Sequence, residues 1–233
     1  PINESDQVTL KKLIPRTDRA ADELLLEFEA RVDALGNPHL RELLRTILRD
    51  QEIHRRLLQA PGGKLWHHCR LGGLLEHTLN VAKIVRAVGE TYANVDIDLL
   101  TAGALLHDIG KVFEFSWEGF IDYADDGRLH GHIAIGHHLV AARIDAMPEF
   151  PAELRRCLLH LILSHQGKRE QGSPVVPMTR EAFILYYADE LDSNLGAFDR
   201  IFGEREERRR WSNYVNLLDR FLYFGPETNL TRE

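Results

Sequence analysis

Leu24, Leu25, Phe28, Val32 and Leu35 recur at three- and four-residue intervals. That period puts them on one face of a helix beginning near Thr17 or Asp18 and stopping at Gly36. Asn37 followed by Pro38 is a cap and first-turn signal for a second helix carrying Leu40, Leu43, Leu44, Ile47 and Leu48. The pattern predicts a helical hairpin, preceded by an aperiodic arm, PINESDQVTLKKLIPRT. Leu74, Leu75, Thr78, Leu79, Ala82 and Val85 mark the next helix, and LLTAGALLHDIGKV predicts another that starts after Asp96 or Asp98 and ends at Gly110. Between Val112 and Leu129, VFEFSWEGFIDYADDGR alternates apolar and polar residues around turn signals, as a small β-hairpin does. Helices then follow over roughly 132–147, 151–165 and, past the loop QGKREQGSPVVP, 179–202; a last amphipathic one covers REERRRWSNYVNLLDRFL. The fold class predicted is all-α with a minor hairpin, in three parts: an N-terminal arm and helical hairpin over 1–60, a core over 61–203, and a C-terminal helix packed on the core over 204–233.

Composition narrows the chemistry. A chain of 233 residues with 44% hydrophobic and 28% charged content is that of a soluble globular protein. No apolar run approaches a membrane span and no signal peptide is recognisable, so a cytoplasmic protein without membrane contact is expected. Cys69 and Cys157 form no Cys-x-x-Cys pair, so any metal must be held by histidine and carboxylate. The net charge of −7 argues against a broad basic surface for duplex nucleic acid. It leaves an anionic substrate open, because divalent cations in a cleft reverse the local field. Arg205, Arg208, Arg209 and Arg210 beside Trp211 form a basic cluster suited to an RNA backbone and a stacked base, although Glu204, Glu206 and Glu207 favour a solvated helix face. The chain opens on Pro1 without Met, from which a fragment or a trimmed protein is expected.

Within the apolar runs stand His77, His107, Asp108, His132, His165 and Asp189. Burying such groups unpaired costs several kcal/mol, so each needs a partner. An isolated His-Asp dipeptide is ordinarily a hydrogen-bonded or ion-paired core element. Its recurrence with further His and Asp on separate helical segments points instead to divalent metal, for which imidazole suits Mn, Fe, Co, Ni or Zn. Adjacent His107 and Asp108 point roughly 100° apart on a helix, so one can serve a single ion while the other reaches between two. His39, His54, His130, His137, His138 and His160 have no such company and read as structural.

The order His, His-Asp, His, His, Asp resembles the HD superfamily of metal-dependent phosphohydrolases, and HDIGK is similar to its signature. HHCRLGGLLEHTLNVA, AGALLHDIGKVFEF, LHGHIAIG, LSHQGKREQGSP and EAFILYYADELDSNL together look like the YhaM-type 3′→5′ exoribonucleases. The resemblance implies an HD helical bundle with two divalent ions (Mn, Co, Fe, Ni or Zn). His77, His107, Asp108 and Asp189 would hold the first; Asp108 would bridge to a second, held also by His132 and His165. Paired ions activate water and offset charge on the phosphoryl oxygens, so no protein nucleophile is required. Lys111 would hold a phosphate oxygen as a catalytic and substrate-binding group, or serve only as a dipole partner at a helix end. His67 and His68 would reach the substrate phosphate or sugar.

The implied activity removes nucleoside 5′-monophosphates from the 3′ end of single-stranded RNA, with DNA as the alternative substrate. A homo-oligomer is implied too, with the leucine-rich N-terminal helix pair as a candidate contact, though a hairpin closing its own core has the same pattern. The family's N-terminal OB-fold has no room here, as the missing Met would lead one to expect. Where the family reads Ser-His-His-Gly, this chain has Ser164, His165, Gln166 and Gly167, which leaves the second site one ligand poorer. Two alternatives stay open: an HD phosphohydrolase acting on a free nucleotide or cyclic dinucleotide, and a non-catalytic HD binding protein. The Gly-Tyr-Pro element of cyclic-dinucleotide hydrolases is missing after SHQG.

Overall fold

The structure, a computed structural model, describes residues 14–204 and 210–225. Helix α1 (Ala21–Asp33) turns its Leu24, Phe28 and Val32 inward. Helix α2 (Pro38–Arg49) starts where Asn37 accepts the backbone N–H groups of His39 and Leu40 at 3.0 and 3.2 Å. Leu40, Leu43, Leu44 and Ile47 of α2 are buried in the same core as α1. Leu24, Leu40, Leu43 and Leu44 of the hairpin therefore close the chain's own interior, while Leu26 stays exposed. A short α3 (Gln51–Leu57), unseen in the pattern, follows directly because Asp50 both ends α2 and caps the new helix.

Helix α4 (Gly73–Gly89) packs on α5 (Ile97–Leu106), which also meets the later helices α8 (Ala152–Ser164) and α9 (Arg180–Gly203). Every residue of α5 from Leu99 to Leu106 is buried, as befits a helix surrounded on all sides. The chain leaves α5 at His107 through a turn ending at Gly110, a few residues sooner than the apolar run suggests, and re-enters a short α6 (Lys111–Glu114). Strands β1 (Phe115–Ser116) and β2 (Asp122–Tyr123) form the expected antiparallel hairpin, with Phe115 opposite Tyr123.

Helix α7 (Asp125–Asp145) begins before the predicted start and is broken at Gly131, whose φ of 73° is open to glycine. The break re-aims the chain at His132. A Cβ on Gly110 would lie 2.0 Å from the His132 carbonyl oxygen and 2.6 Å from the Gly136 nitrogen, so the turn after α5 meets α7 backbone to backbone.

The predicted C-terminal helix is not found in the described part of 204–233. Helix α9 ends at Gly203, and residues 210–225 form a loop closed by isolated antiparallel bridges, Trp211 with Tyr223 and Val215 with Arg220. Its reversal uses Asp219 at a φ of 53°, and aromatic and β-branched residues flank the turn, a composition that favours extended backbone over helix. The arm over 1–13 and the residues Arg205, Arg208 and Arg209 lie outside the described residues. No described helix is long and apolar enough to cross a membrane.

Candidate metal centre

The predicted residues arrive from separate elements and converge. His77 projects from α4, His107 and Asp108 from the turn after α5, His132 from α7, His165 from the end of α8, and Asp189 from α9. His77, His107 and His165 are fully buried. They form two groups of potential ligands, His77 with His107 and Asp189, and Asp108 with His132 and His165.

Each imidazole is held from behind. His107 Nδ1 donates to the Ala104 carbonyl and His165 Nδ1 to the Ile162 carbonyl, both at 2.8 Å. His77 Nδ1 donates to Asp192 Oδ2 at 2.7 Å, and His132 Nδ1 to Glu114 Oε1 at 3.1 Å. Glu114 Oε1 also accepts the His132 backbone N–H at 3.0 Å, which fixes both ring and chain. A neutral imidazole that donates from Nδ1 presents a lone pair at Nε2. All of these Nε2 atoms face acceptors. His77 and His107 Nε2 lie 3.3 Å from each other and 3.5 and 3.4 Å from Asp108 Oδ2. His132 and His165 Nε2 lie 3.4 and 3.5 Å from Asp108 Oδ1, and neither makes a hydrogen bond. His77 Nε2 is 3.1 Å from Asp189 Oδ1. With every ring neutral, acceptors would face acceptors in a buried pocket; a positive charge relieves this, either the proton drawn to His77 or a divalent metal, for which the donor set of imidazole and carboxylate is suited.

The electrostatics express the same demand. Burial opposes a charged His77, but the carboxylates of Asp108, Asp189 and Asp192 outweigh it and hold the ring well above the usual histidine range. Burial would raise Asp108, yet Lys111 and His107 keep its carboxyl far below the ordinary value. Lys111 Nζ lies 2.7 Å from Asp108 Oδ2 and donates to the Gly62 carbonyl at 2.7 Å. Lys111 is thus a buried partner of the central carboxylate, more than the helix-end charge its position in the sequence also allowed.

His67 and His68 are brought to the same pocket. His68 Nε2 donates to Asp192 Oδ2 at 2.9 Å, and His67 Nε2 lies 3.2 Å from Ser193 Oγ. Burial, together with the nearby His77 and Lys111, pushes His67 down to about 2, so it stays neutral. Neither buried Nδ1 makes a hydrogen bond, although that of His68 lies 3.7 Å from Glu76 Oε2. His68 has a φ of 47°, a left-handed backbone that costs a non-glycine residue energy and marks a constrained position. Asp192 and Glu114 escaped the sequence reading. The available signal was Asp189-x-x-Asp192, which sets two acids on one helix face.

This arrangement of helices around a histidine and aspartate pocket is the HD class: residues 74–194 match the family model described as HD domain, and the chain belongs to that family. Within it the chain is of the YhaM type. It is 34% identical over 228 residues to a protein of Shouchella clausii (strain KSM-K16) named 3′-5′ exoribonuclease YhaM, covering 97% of this chain and 70% of the relative. It is 31% identical over 228 residues to the protein of the same name from Bacillus subtilis (strain 168), covering 97% and 71%. No solved structure matches the chain.

Proposed function

We propose that the chain is a metal-dependent 3′→5′ exoribonuclease that holds two divalent ions, one at His77, His107, Asp189 and Asp108, the other at Asp108, His132 and His165. The observation that carries the reading is the division of Asp108, whose Oδ2 faces His77 and His107 while its Oδ1 faces His132 and His165. A carboxylate placed between two imidazole pairs is suited to join two ions. When bound, the ions supply an activated water and offset the charge that builds on the scissile phosphate. Lys111 keeps Asp108 ionised and in place. Asp192 and Glu114 hold His77 and His132 in the tautomer that leaves Nε2 free. His68 and Asp192 line a cleft of about 710 Å³ that also includes Lys64, Arg70 and Arg200, a setting of mixed charge for the end of a strand.

The names of the relatives point to RNA as the substrate. A 5′-labelled single-stranded RNA incubated with the chain and Mn²⁺ should give a ladder shortened from the 3′ end, with nucleoside 5′-monophosphates released. Intact RNA beside turnover of free nucleotides would overturn the assignment, and so would no turnover of either.

A further inference from the structure

Lys64, Arg70 and Arg200 line the cleft beside the metal centre, and the two arginines are committed elsewhere. Arg70 gives two bonds to Glu76 Oε2, at 3.1 and 2.8 Å. Arg200 gives two to Glu204 and one to the Trp66 carbonyl. Lys64 differs. Among the described residues its Nζ donates once, to Asp122 Oδ1 of β2 at 2.6 Å, whereas an ammonium has three donors. Arg128 donates to the same oxygen at 2.8 Å, so Lys64 can leave without stranding the carboxylate. Lys64 and Asp122 both reach solvent, and a pair of that kind contributes little to stability.

The pair spans the mouth of the centre. Two residues before Lys64, the Gly62 carbonyl is tied through Lys111 to Asp108. Two residues after Asp122, the Ala124 backbone N–H donates at 2.9 Å to the carbonyl of Glu114, whose side chain holds His132. His132 has the most exposed side chain of the six that converge, at 18%, so the centre opens beside it. We propose that Lys64 is a substrate-binding residue that leaves Asp122 for a phosphate of the RNA strand, Asp122 being the internal anion that occupies it until the strand arrives. The inference rests on the exoribonuclease reading for the identity of the strand. The exchange replaces one singly charged oxygen anion by another, while Arg128 goes on neutralising Asp122.

Fluorescence anisotropy of a 5′-fluorescein single-stranded RNA in EDTA, with hydrolysis stopped, reads this contact without turnover. Lys64→Gln should loosen binding roughly tenfold, with unchanged circular dichroism. The slope of log affinity against log salt should become shallower by about 0.7, the share of one phosphate contact on a single strand. Lys64→Arg should restore both. Asp122→Asn should tighten binding about threefold where Lys64 is present and not in the Lys64→Gln background, because only the lysine is released. With Mn²⁺ and turnover, Lys64→Gln should raise KM about tenfold, the mark of a contact made before the transition state. An affinity and salt slope indifferent to Lys64→Gln, an equal gain from Asp122→Asn with and without Lys64, or an unmodified chain that takes up no RNA would each overturn the proposal. A chain that binds RNA through Lys64 but shortens none with Mn²⁺ would refute the exoribonuclease reading and leave the contact standing. One that shortens RNA with a KM indifferent to Lys64→Gln would refute the contact alone.

Discussion

His77 and Asp192, 115 residues apart in sequence, meet through a 2.7 Å hydrogen bond from Nδ1 to Oδ2. The same oxygen accepts from His68 Nε2 at 2.9 Å, so one carboxylate ties a metal-facing imidazole to the wall of the neighbouring cleft. Such outer partners raise the basicity of the ligand and fix its ring. Asp192→Asn, which keeps the shape and removes the charge, should lower metal affinity by roughly 10–100-fold. Competition against a chromogenic chelator measures this, and an affinity equal to that of the unmodified chain would reduce Asp192 to a packing residue.

Among the described residues, Asp108 is the only acid that faces both imidazole pairs. Asp108→Asn should therefore abolish hydrolysis and reduce bound metal more than His165→Gln, which touches one group. The group of Asp108, His132 and His165 has one acid and two imidazoles and gains no imidazole from Gln166. Its ion should be the first to leave under mild chelation. Elemental analysis of both variants decides the matter; full metal and normal turnover in Asp108→Asn would rule out the bridge.

Lys111→Ala should reduce kcat by about tenfold or more, which corresponds to roughly 1.4 kcal/mol of barrier. Because the buried amine also donates to the Gly62 carbonyl, the variant should melt at a lower temperature while retaining its metal. Steady-state kinetics beside elemental analysis separates these effects. An unchanged kcat would confine Lys111 to a structural role.

Most of the helices, and the side chains that converge in the candidate centre, are legible in the sequence because each is an apolar period interrupted by a polar group of unusual type. His77 beside the Leu74, Leu75 and Leu79 face is the plainest case. Asp192 was not legible: an Asp in ELDS looks like an ordinary polar position, and its burial depends on His68 and His77 folding over it. Glu114 was hidden in the alternation that predicts a strand, since nothing local shows that His132 will lie against it. The C-terminal helix failed for a related reason. Its aromatic and leucine spacing fits a helical face, but the bridges of Trp211 with Tyr223 and Val215 with Arg220 use the same residues in an extended pairing.

Glu27 joins α1 to α4 through Lys83 at 3.1 Å and is also paired with Arg31 at 2.8 Å and Arg19 at 2.9 Å. Burial would raise its carboxyl, but the hydrogen bonds from Arg31, Arg19 and Lys83 bring it from 4.5 down to about 2. A carboxyl lowered on folding stabilises the chain above its unfolded value, and this contribution is lost as the pH falls from 4.5 towards about 2. Urea melts across that range should show a loss of stability that Glu27→Gln no longer shows, and added salt should shrink the difference. Parallel pH profiles for the two proteins would refute the assignment.

The backbone contact between Gly110 and the His132 carbonyl has a thermodynamic consequence for the centre. It welds the turn bearing His107 and Asp108 to the start of the α7 segment bearing His132, so the two sides of the pocket move as one body. The conformational entropy of bringing these groups together is then lost during folding and not when a cation arrives. A cavity preorganised in this way would take up a cation with little rearrangement.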